Sequence, residues 1–268
     1  VASDIDICNR SLSRLGMPRI TALSDATESG YACSSAWLLV RDEVLRAHPW
    51  NCATVRKTLS EVAAKAIIST DNLNPLKVAC TGHAYIAGQR IFITGVATMT
   101  EINDKYFRVS DTSLNANDFR LEDEELVDVD GTSYTDGTGG TVRAVPDWDY
   151  GHMYALPTDC LRLLEVQDLE ENSWVVENGF ILCDEDETIH VRYIKKEEDE
   201  SKYDPLLVSA LAARLTVELM EELPELSGTK RQLYEQQYQQ IMLQARMSDG
   251  QEGSSKGFRE SSWVLARY

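Results

Sequence analysis

The sequence has no Cys-x-x-Cys pair, no closely spaced histidines, few basic residues for its acidic ones, and no apolar run near the roughly 20 residues that span a bilayer. Each absence excludes something. His48, His83, His152 and His190 make no His-Glu-x-x-His or other paired-ligand spacing, which argues against a metal centre. No serine is set in a nucleophile context, which argues against acyl transfer. The opening Val1-Ala-Ser-Asp-Ile-Asp has neither the basic nor the apolar region of a signal peptide. The expectation is a soluble protein made in a cytoplasm, with no membrane anchor. Cys8, Cys33, Cys52, Cys80, Cys160 and Cys183 are scattered, several on apolar faces, and read as reduced, buried thiols. With 26 Lys and Arg against 44 Asp and Glu, the formal charge of -18 has the wrong sign for gripping nucleic-acid phosphates. It is compatible with DNA that slides past without sticking.

What is present is a helical pattern at both ends and β-forming sequence between. At 268 residues and 43% apolar composition, the chain is long enough for two domains. Ser3 caps a first helix with Asp6 as its partner, and Ile5, Cys8, Leu12 and Leu15 recur at helical spacing until Gly16. A second helix starts near Thr27 to Ser29 and carries Cys33, Ala36, Trp37, Val40, Val44 and Ala47 on its apolar face. Pro49 biases His48 away from helical geometry and closes it. Trp50 to Leu59 then reads as extended.

Beyond Leu156, strands are expected at Cys160 to Asp168, Ser173 to Glu177, Phe180 to Asp184 and Thr188 to Lys195, in an antiparallel meander. Asn178-Gly179 carries the hairpin signal, because a type I′ turn needs positive φ at both central positions. Asp204-Pro205 opens a third helix with Leu207, Leu211, Leu215 and Leu219 in register. Pro224 and Gly228 precede a fourth, whose stripe is Tyr234, Tyr238, Ile241 and Ala245. After Asp249-Gly250, linker-like sequence leads to Trp263-Val-Leu-Ala-Arg-Tyr268.

Between the two halves, short strands are expected at Lys77 to Cys80, Arg90 to Thr94, Tyr106 to Val109, Asn117 to Leu121, Glu125 to Val129 and Thr141 to Arg143. The run from Asp128 to Gly137 has its glycine too early for a calcium loop and reads as a polar hairpin. The expected fold class is α+β: an α-helical bundle with an antiparallel β-meander layer, plus an inserted small all-β barrel or sandwich. Residues 1–63 and 146–250 form a discontinuous core, 64–145 the inserted β-domain, and 251–268 a flexible C-terminal docking tail.

Four blocks carry a family resemblance: Ser13-Arg-Leu-Gly-Met-Pro-Arg-Ile-Thr-Ala-Leu23, Val44-Leu-Arg-Ala-His-Pro-Trp-Asn-Cys-Ala53, Tyr154-Ala-Leu-Pro-Thr-Asp-Cys-Leu-Arg162 and Ser262-Trp-Val-Leu-Ala-Arg-Tyr268. In this order they resemble the phage head-to-tail adaptor family, the tail tubular protein A type of short-tailed phages. The resemblance covers about residues 5 to 63 and 146 to 268. It implies a helical bundle plus a β-layer, assembled as a homo-oligomeric, twelve-fold ring between the portal protein and the tail nozzle, a tail tubular protein B type partner. Tail fibres are a further implied partner, double-stranded DNA is passing cargo in the lumen, and the location is the virion, assembled in the bacterial host cytoplasm.

Gly95 to Val109, Asn117 to Leu121 and Gly137 to Val142 are similar to the small β-domain named after the first catalytic-cysteine half-domain of ubiquitin-activating enzymes. That name transfers no chemistry, since Cys80 lies outside the resembling stretch and nothing like a nucleotide site accompanies it. The reading is therefore of a non-enzyme without cofactors. The alternative is a tail-associated receptor- or carbohydrate-binding protein that uses the inserted β-domain.

Three sets of residues follow as candidates. Trp263, Val264, Leu265 and Tyr268 are the portal or neighbour interface, because their linker separates them from the local core. His48, Pro49 and Trp50 with Leu156 and Pro157 are the motif at the helix end and strand opening. Glu197, Glu198, Asp199 and Glu200 are candidate lumen carboxylates, which repeated around a ring would repel passing phosphates. The acidic runs Glu122 to Glu125 and Asp184 to Glu187 compete for that role.

Overall fold

The chain turns helical at once for local reasons. Ser3 Oγ accepts from Asp6 N at 3.1 Å while the Asp6 carboxylate accepts from Ser3 N at 3.0 Å, so two orphan amides of the first turn are satisfied reciprocally. Helix α1 (Asp4–Leu15) ends on Gly16 at φ 74°, a conformation glycine adopts without a Cβ penalty. Thr27 caps α2 (Glu28–Arg46) by accepting from Gly30 N at 3.1 Å. Asp204 starts α3 (Pro205–Glu222) by accepting from Leu206 N at 2.7 Å, and α4 (Gly228–Glu252) follows.

In a computed structural model that describes residues 2–167, 169–170, 172–222 and 228–253, the protein is mixed α and β, with antiparallel sheets and four α-helices among those residues. Its strands are β1 (Thr54–Leu59), β2 (Lys65–Ala66), β3 (Ser69–Asp71), β4 (Lys77–Ala79), β5 (Arg90–Thr94), β6 (Lys105–Val109), β7 (Asp118–Glu122), β8 (Gly137–Thr138), β9 (Thr141–Ala144), β10 (His152–Ala155), β11 (Cys160–Gln167), β12 (Trp174–Glu177), β13 (Phe180–Cys183) and β14 (Ile189–Lys195). No described helix is long and apolar enough to cross a membrane.

The chain divides into two compact units: one of Val1–Arg56, Thr158–Glu165 and Arg192–Tyr268, the other of Lys57–Pro157 and Val166–Val191. Of the four dividing points, three fall within β1, β11 and β14 and the fourth between β10 and β11. In the first unit α3 packs against α1, α2 and α4. Leu207, Leu211, Leu215 and Leu219 are fully buried along it, and Ala210 and Ala212 allow close approach. Ser11 Oγ donates to Ala212 O at 2.8 Å and Tyr234 Oη to Arg14 O at 2.8 Å, pinning α1 to α3 and α4. Ile194 is buried in the same core, with Leu161 and Leu164 packed against it.

The second unit holds the sheet β2-β9-β5-β6-β7-β4-β3-β8. Its two ends meet. The register runs unbroken from Lys65↔Val142 and Ala66↔Thr141 to Ser69↔Thr138 and Thr70↔Gly137, with Ile67 N donating to Gly140 O at 3.0 Å between them. The sheet is therefore closed on itself, leaving no free edge. Leu76, Val78, Ile91, Ile93, Phe119 and Leu121 fill it, each fully buried.

Several expectations need correction. The strands after residue 156 make no single meander: they divide into the sheets β1-β14-β11 and β10-β13-β12. Of the expected neighbours only β12 and β13 pair, through Asn178 at φ 45° and Gly179 at φ 82°. Trp50 to Ala53 is not extended, because Ala53 N and Thr54 N fold back onto Trp50 O at 3.0 and 2.9 Å. Of Glu125 to Val129, the first two residues lie in a turn, where Asp123 Oδ1 accepts from Glu125 N and Val127 N and Leu126 has φ 64°, while Asp128 bridges Glu122 and Val129 N donates to Leu121 O at 3.0 Å. Residues 251–252 belong to α4, which continues until Gly253 N donates to Asp249 O at 3.0 Å. The second unit also takes in 57–63, 146–157 and 166–191, a wider span than boundaries at 63/64 and 145/146. Val62 N donates to Met153 O at 2.9 Å, and Arg143 pairs with Glu61, which ties these segments to the closed sheet.

Candidate functional site

The turn after α2 is held by several side-chain hydrogen bonds. Trp50 is 1% exposed, and its indole Nε1 donates to Val44 O at 2.9 Å, satisfying a carbonyl in the last turn of the helix. His48 lies edge-on to the Trp50 ring at 4.7 Å between centroids. Its Nε2 stands 3.2 Å from Asp249 Oδ2. Asn51 N donates to Asp249 Oδ1 at 3.0 Å, and Asn51 Nδ2 to Asp249 O at 2.7 Å. The end of α4 thus clamps the end of α2. Burial pulls the His48 imidazole below its ordinary value, outweighing the opposing pull of Asp249.

The two sequence blocks that flank the β-rich segment meet in this same unit. Arg46 Nη1 donates to Leu161 O, 115 residues on, and Arg162 Nη1 donates to Arg46 O at 3.4 Å. Lys195 N donates to Ala53 O at 2.8 Å. Leu156 and Pro157 belong to the second unit, where Leu156 N donates to Gly179 O at 2.9 Å and Pro157 is buried. The expected five-residue motif is thus divided between the two units.

The acidic residues are mostly engaged by their own chain. Glu197 is 4% exposed and lies 2.9 Å from Lys195 Nζ and 3.1 Å from Lys202 Nζ. Burial pushes its carboxyl up, but the hydrogen bonds from Lys195 and Lys202 prevail and hold it below the usual carboxylate value. Its charge is met within the unit by these two lysines. Asp199 accepts from Ser201 N at 3.1 Å and Oγ, capping a short helical turn that contains Glu200. Glu198 is exposed, 3.7 Å from the buried Arg41 and 3.8 Å from Lys196.

In the second unit Glu124 receives Arg90 at 2.6 and 3.0 Å, and Asp184 Oδ1 accepts from Gly151 N at 3.0 Å. Tyr154 Oη donates to the carbonyls of Glu185 and Glu187, each at 2.6 Å, and burial pushes its phenol up to about 12. Asp130 caps Thr132 N at 3.0 Å, but the run from Asp128 to Gly137 is no hairpin, since Asp128 bridges Glu122 and Gly137 pairs with Thr70. His83 is 3% exposed between Asn115 O at 2.7 Å and Tyr85 N at 2.9 Å, while His152 lies 2.8 Å from Glu61.

No disulfide joins the six cysteines, of which Cys8, Cys33, Cys80 and Cys183 are buried. No group of three or more His, Cys, Asp and Glu among the described residues is placed to hold a metal ion. Trp263, Val264, Leu265 and Tyr268 lie outside the described residues. Neither Asp249 nor the buried Arg41 belongs to a motif in the sequence; Gly250 beside Asp249 is the signal that points to it. No protein-family model and no curated protein matches the chain.

Proposed function

We propose that this chain is a structural virion protein, a head-to-tail adaptor that forms a ring on the portal, receives the tail nozzle and continues the DNA channel. In this reading the helices of the first unit are a bundle that builds the ring wall. The closed sheet is a β-domain inserted between host elements, and Trp263, Val264, Leu265 and Tyr268 dock on the portal or a neighbouring subunit. The chemistry is mechanical rather than catalytic. The observation that carries the proposal is the meeting of Arg46 with Leu161 and Arg162, since the two flanks of the resemblance come together as one module. The net charge of -18 supports it further, because an acidic lumen lets DNA pass without sticking. Of the candidate lumen carboxylates, Glu198 and Asp199 remain exposed, their side chains 70% and 49% accessible.

Cosedimentation with portal rings from the same virus tests the reading. Saturable binding is expected, and it should be lost on deletion of Gly257 to Tyr268. Unchanged binding by the truncated chain would remove the tail from the account, and no binding by the full chain would remove the adaptor.

One observation favours the carbohydrate-binding alternative. A groove of about 400 Å³ in the second unit is lined by Tyr85, Val145, Met153, Phe180 and Leu182, with Gln89, Asp147 and Asn178 as polar groups. Trp148, beside Asp147, is 72% exposed. Glycan binding by the full chain, lost in Trp148→Ala and unaccompanied by portal binding, would favour that reading.

A further inference from the structure

In a chain of formal charge -18, three arginines converge on one polar pocket. Arg10 and Arg14 stand one turn apart on the exposed side of α1, whose buried side carries Ile7, Cys8, Ser11 and Leu12. Arg19 joins them from the segment that follows Gly16. That segment is held against the helix: Asn9 Oδ1 accepts from Ile20 N at 2.8 Å, and Asn9 Nδ2 donates to Ile20 O at 2.9 Å. With Asp6, Asn9 and Ser13, the three arginines line a volume of about 570 Å³, within the range of sites that hold small molecules.

The carboxylates of these segments are committed to the backbone. Asp6 Oδ2 accepts from Ser3 N and Ser3 Oγ, both at 3.0 Å, and Asp25 Oδ2 accepts from Thr21 N at 2.6 Å and Ala22 N at 3.2 Å. Among the described residues, Arg10, Arg14 and Arg19 make no ion pair. Other arginines of the chain do find carboxylates, Arg90 with Glu124 and Arg214 with Glu43 and Glu218. A place in the last turn of α1 accounts for Arg14, because a cation there complements the helix dipole. It accounts for neither Arg10, in mid-helix, nor Arg19, beyond the helix end. Desolvation and then the charge of Arg10 pull the Arg14 guanidinium below its ordinary value, a repulsion that a bound anion would relieve.

We propose that Arg10, Arg14 and Arg19 form a binding site for a compact phosphate compound, one that carries two or three phosphoryl groups. A guanidinium fork takes phosphoryl oxygens two at a time, so several forks around one pocket suit a ligand with many oxygens and several charges. Ser13, exposed between Arg10 and Arg14, adds a hydroxyl donor. Asp6, one turn before Arg10, opposes an anion that fills the whole pocket, which puts the phosphates at the arginine end. Charge also limits the ligand's size. A long polyanion meets the field of the -18 chain beyond the pocket, whereas a compact one lies within a Debye length, about 10 Å at 0.1 M salt, of the three arginines. The site lies within the first unit and does not depend on the adaptor reading.

Isothermal titration calorimetry of the full chain with inorganic triphosphate tests it, with orthophosphate, a short single-stranded oligonucleotide and a poly-aspartate peptide as comparisons at matched ionic strength. Saturable binding of triphosphate at submillimolar concentration is expected. It should weaken about tenfold or more in each of Arg10→Gln, Arg14→Gln and Arg19→Gln, and vanish in the triple variant, while circular dichroism and melting stay unchanged. Arg56→Gln, at an exposed position outside the pocket, should bind like wild type. No saturable binding of triphosphate, or binding that survives in the triple variant, overturns the site. Orthophosphate bound as tightly as triphosphate reduces it to an adventitious ion only and overturns the proposal. Tighter binding of the oligonucleotide, lost in the same variants, overturns the choice of a compact ligand. Tighter binding of the peptide overturns phosphate in favour of an acidic protein segment.

Discussion

Asp249 engages its neighbours with both carboxylate oxygens and its carbonyl, all within 3.2 Å, and so holds the turn after α2 in place. Asp249→Ala should destabilise the first unit by about 1–3 kcal/mol in urea unfolding, since the Asn51 amide and the His48 ring each lose a partner. Trp50→Ala should cost more, about 3–5 kcal/mol, by emptying a buried site as well as freeing Val44 O. The pH dependence has a definite sign. His48 is pulled below its ordinary 6.5 chiefly by burial, so the unfolded chain takes up a proton first as the pH falls. Its contribution is intact above 6.5 and is lost as the pH drops toward the folded value. Melting temperature should therefore decline more steeply on acidification in wild type than in His48→Gln, and parallel profiles would contradict this. Glu197, held low by Lys195 and Lys202 despite its burial, adds stability above 4.5 that is lost as the pH falls through its lowered value.

The closed sheet depends on two glycines at the bend between β8 and β9. Gly140 has φ 86°, and a Cβ there would lie 2.7 Å from Val96 N and 2.8 Å from Thr94 O; Gly139 has φ 72° with nothing within 4 Å. Gly140→Ala should thus lose about 2 kcal/mol or more, through strain and collision together, whereas Gly139→Ala should lose only about 1 kcal/mol. Equal losses in thermal unfolding would refute the account of the bend. Helices were legible because their determinants are local: Ser3 with Asp6, Thr27, and Asp204-Pro205 all lie where the sequence places them. So was the Asn178-Gly179 hairpin. Partner choice was not. The central strand β14 takes β1 and β11 as neighbours, and pairing across such distances leaves no mark in the alternation of either strand. Strands of two or three residues such as β2, β3 and β8 are too short to show a period at all. Nor does a sequence window distinguish Glu197, buried between two lysines, from Glu198, exposed beside it.

At the scale of the whole molecule, the proposed function starts from a resemblance in two separate stretches of sequence, and residues of those stretches meet in one unit. Residues Arg46, Leu161 and Arg162 join across the β-rich segment. In the proposed adaptor, the net charge of -18 would keep passing DNA from adhering. Single charge substitutions such as Glu198→Lys should accordingly leave folding unchanged, within about 0.5 kcal/mol, while slowing DNA ejection from reconstituted particles. Ejection at the wild-type rate would place Glu198 away from the channel. The most direct measurement is negative-stain imaging of the purified chain mixed with portal rings from the same virus. The account predicts portal particles capped on one face by an added ring of repeated subunits, with an open central channel; bare portals beside dispersed chains would contradict it.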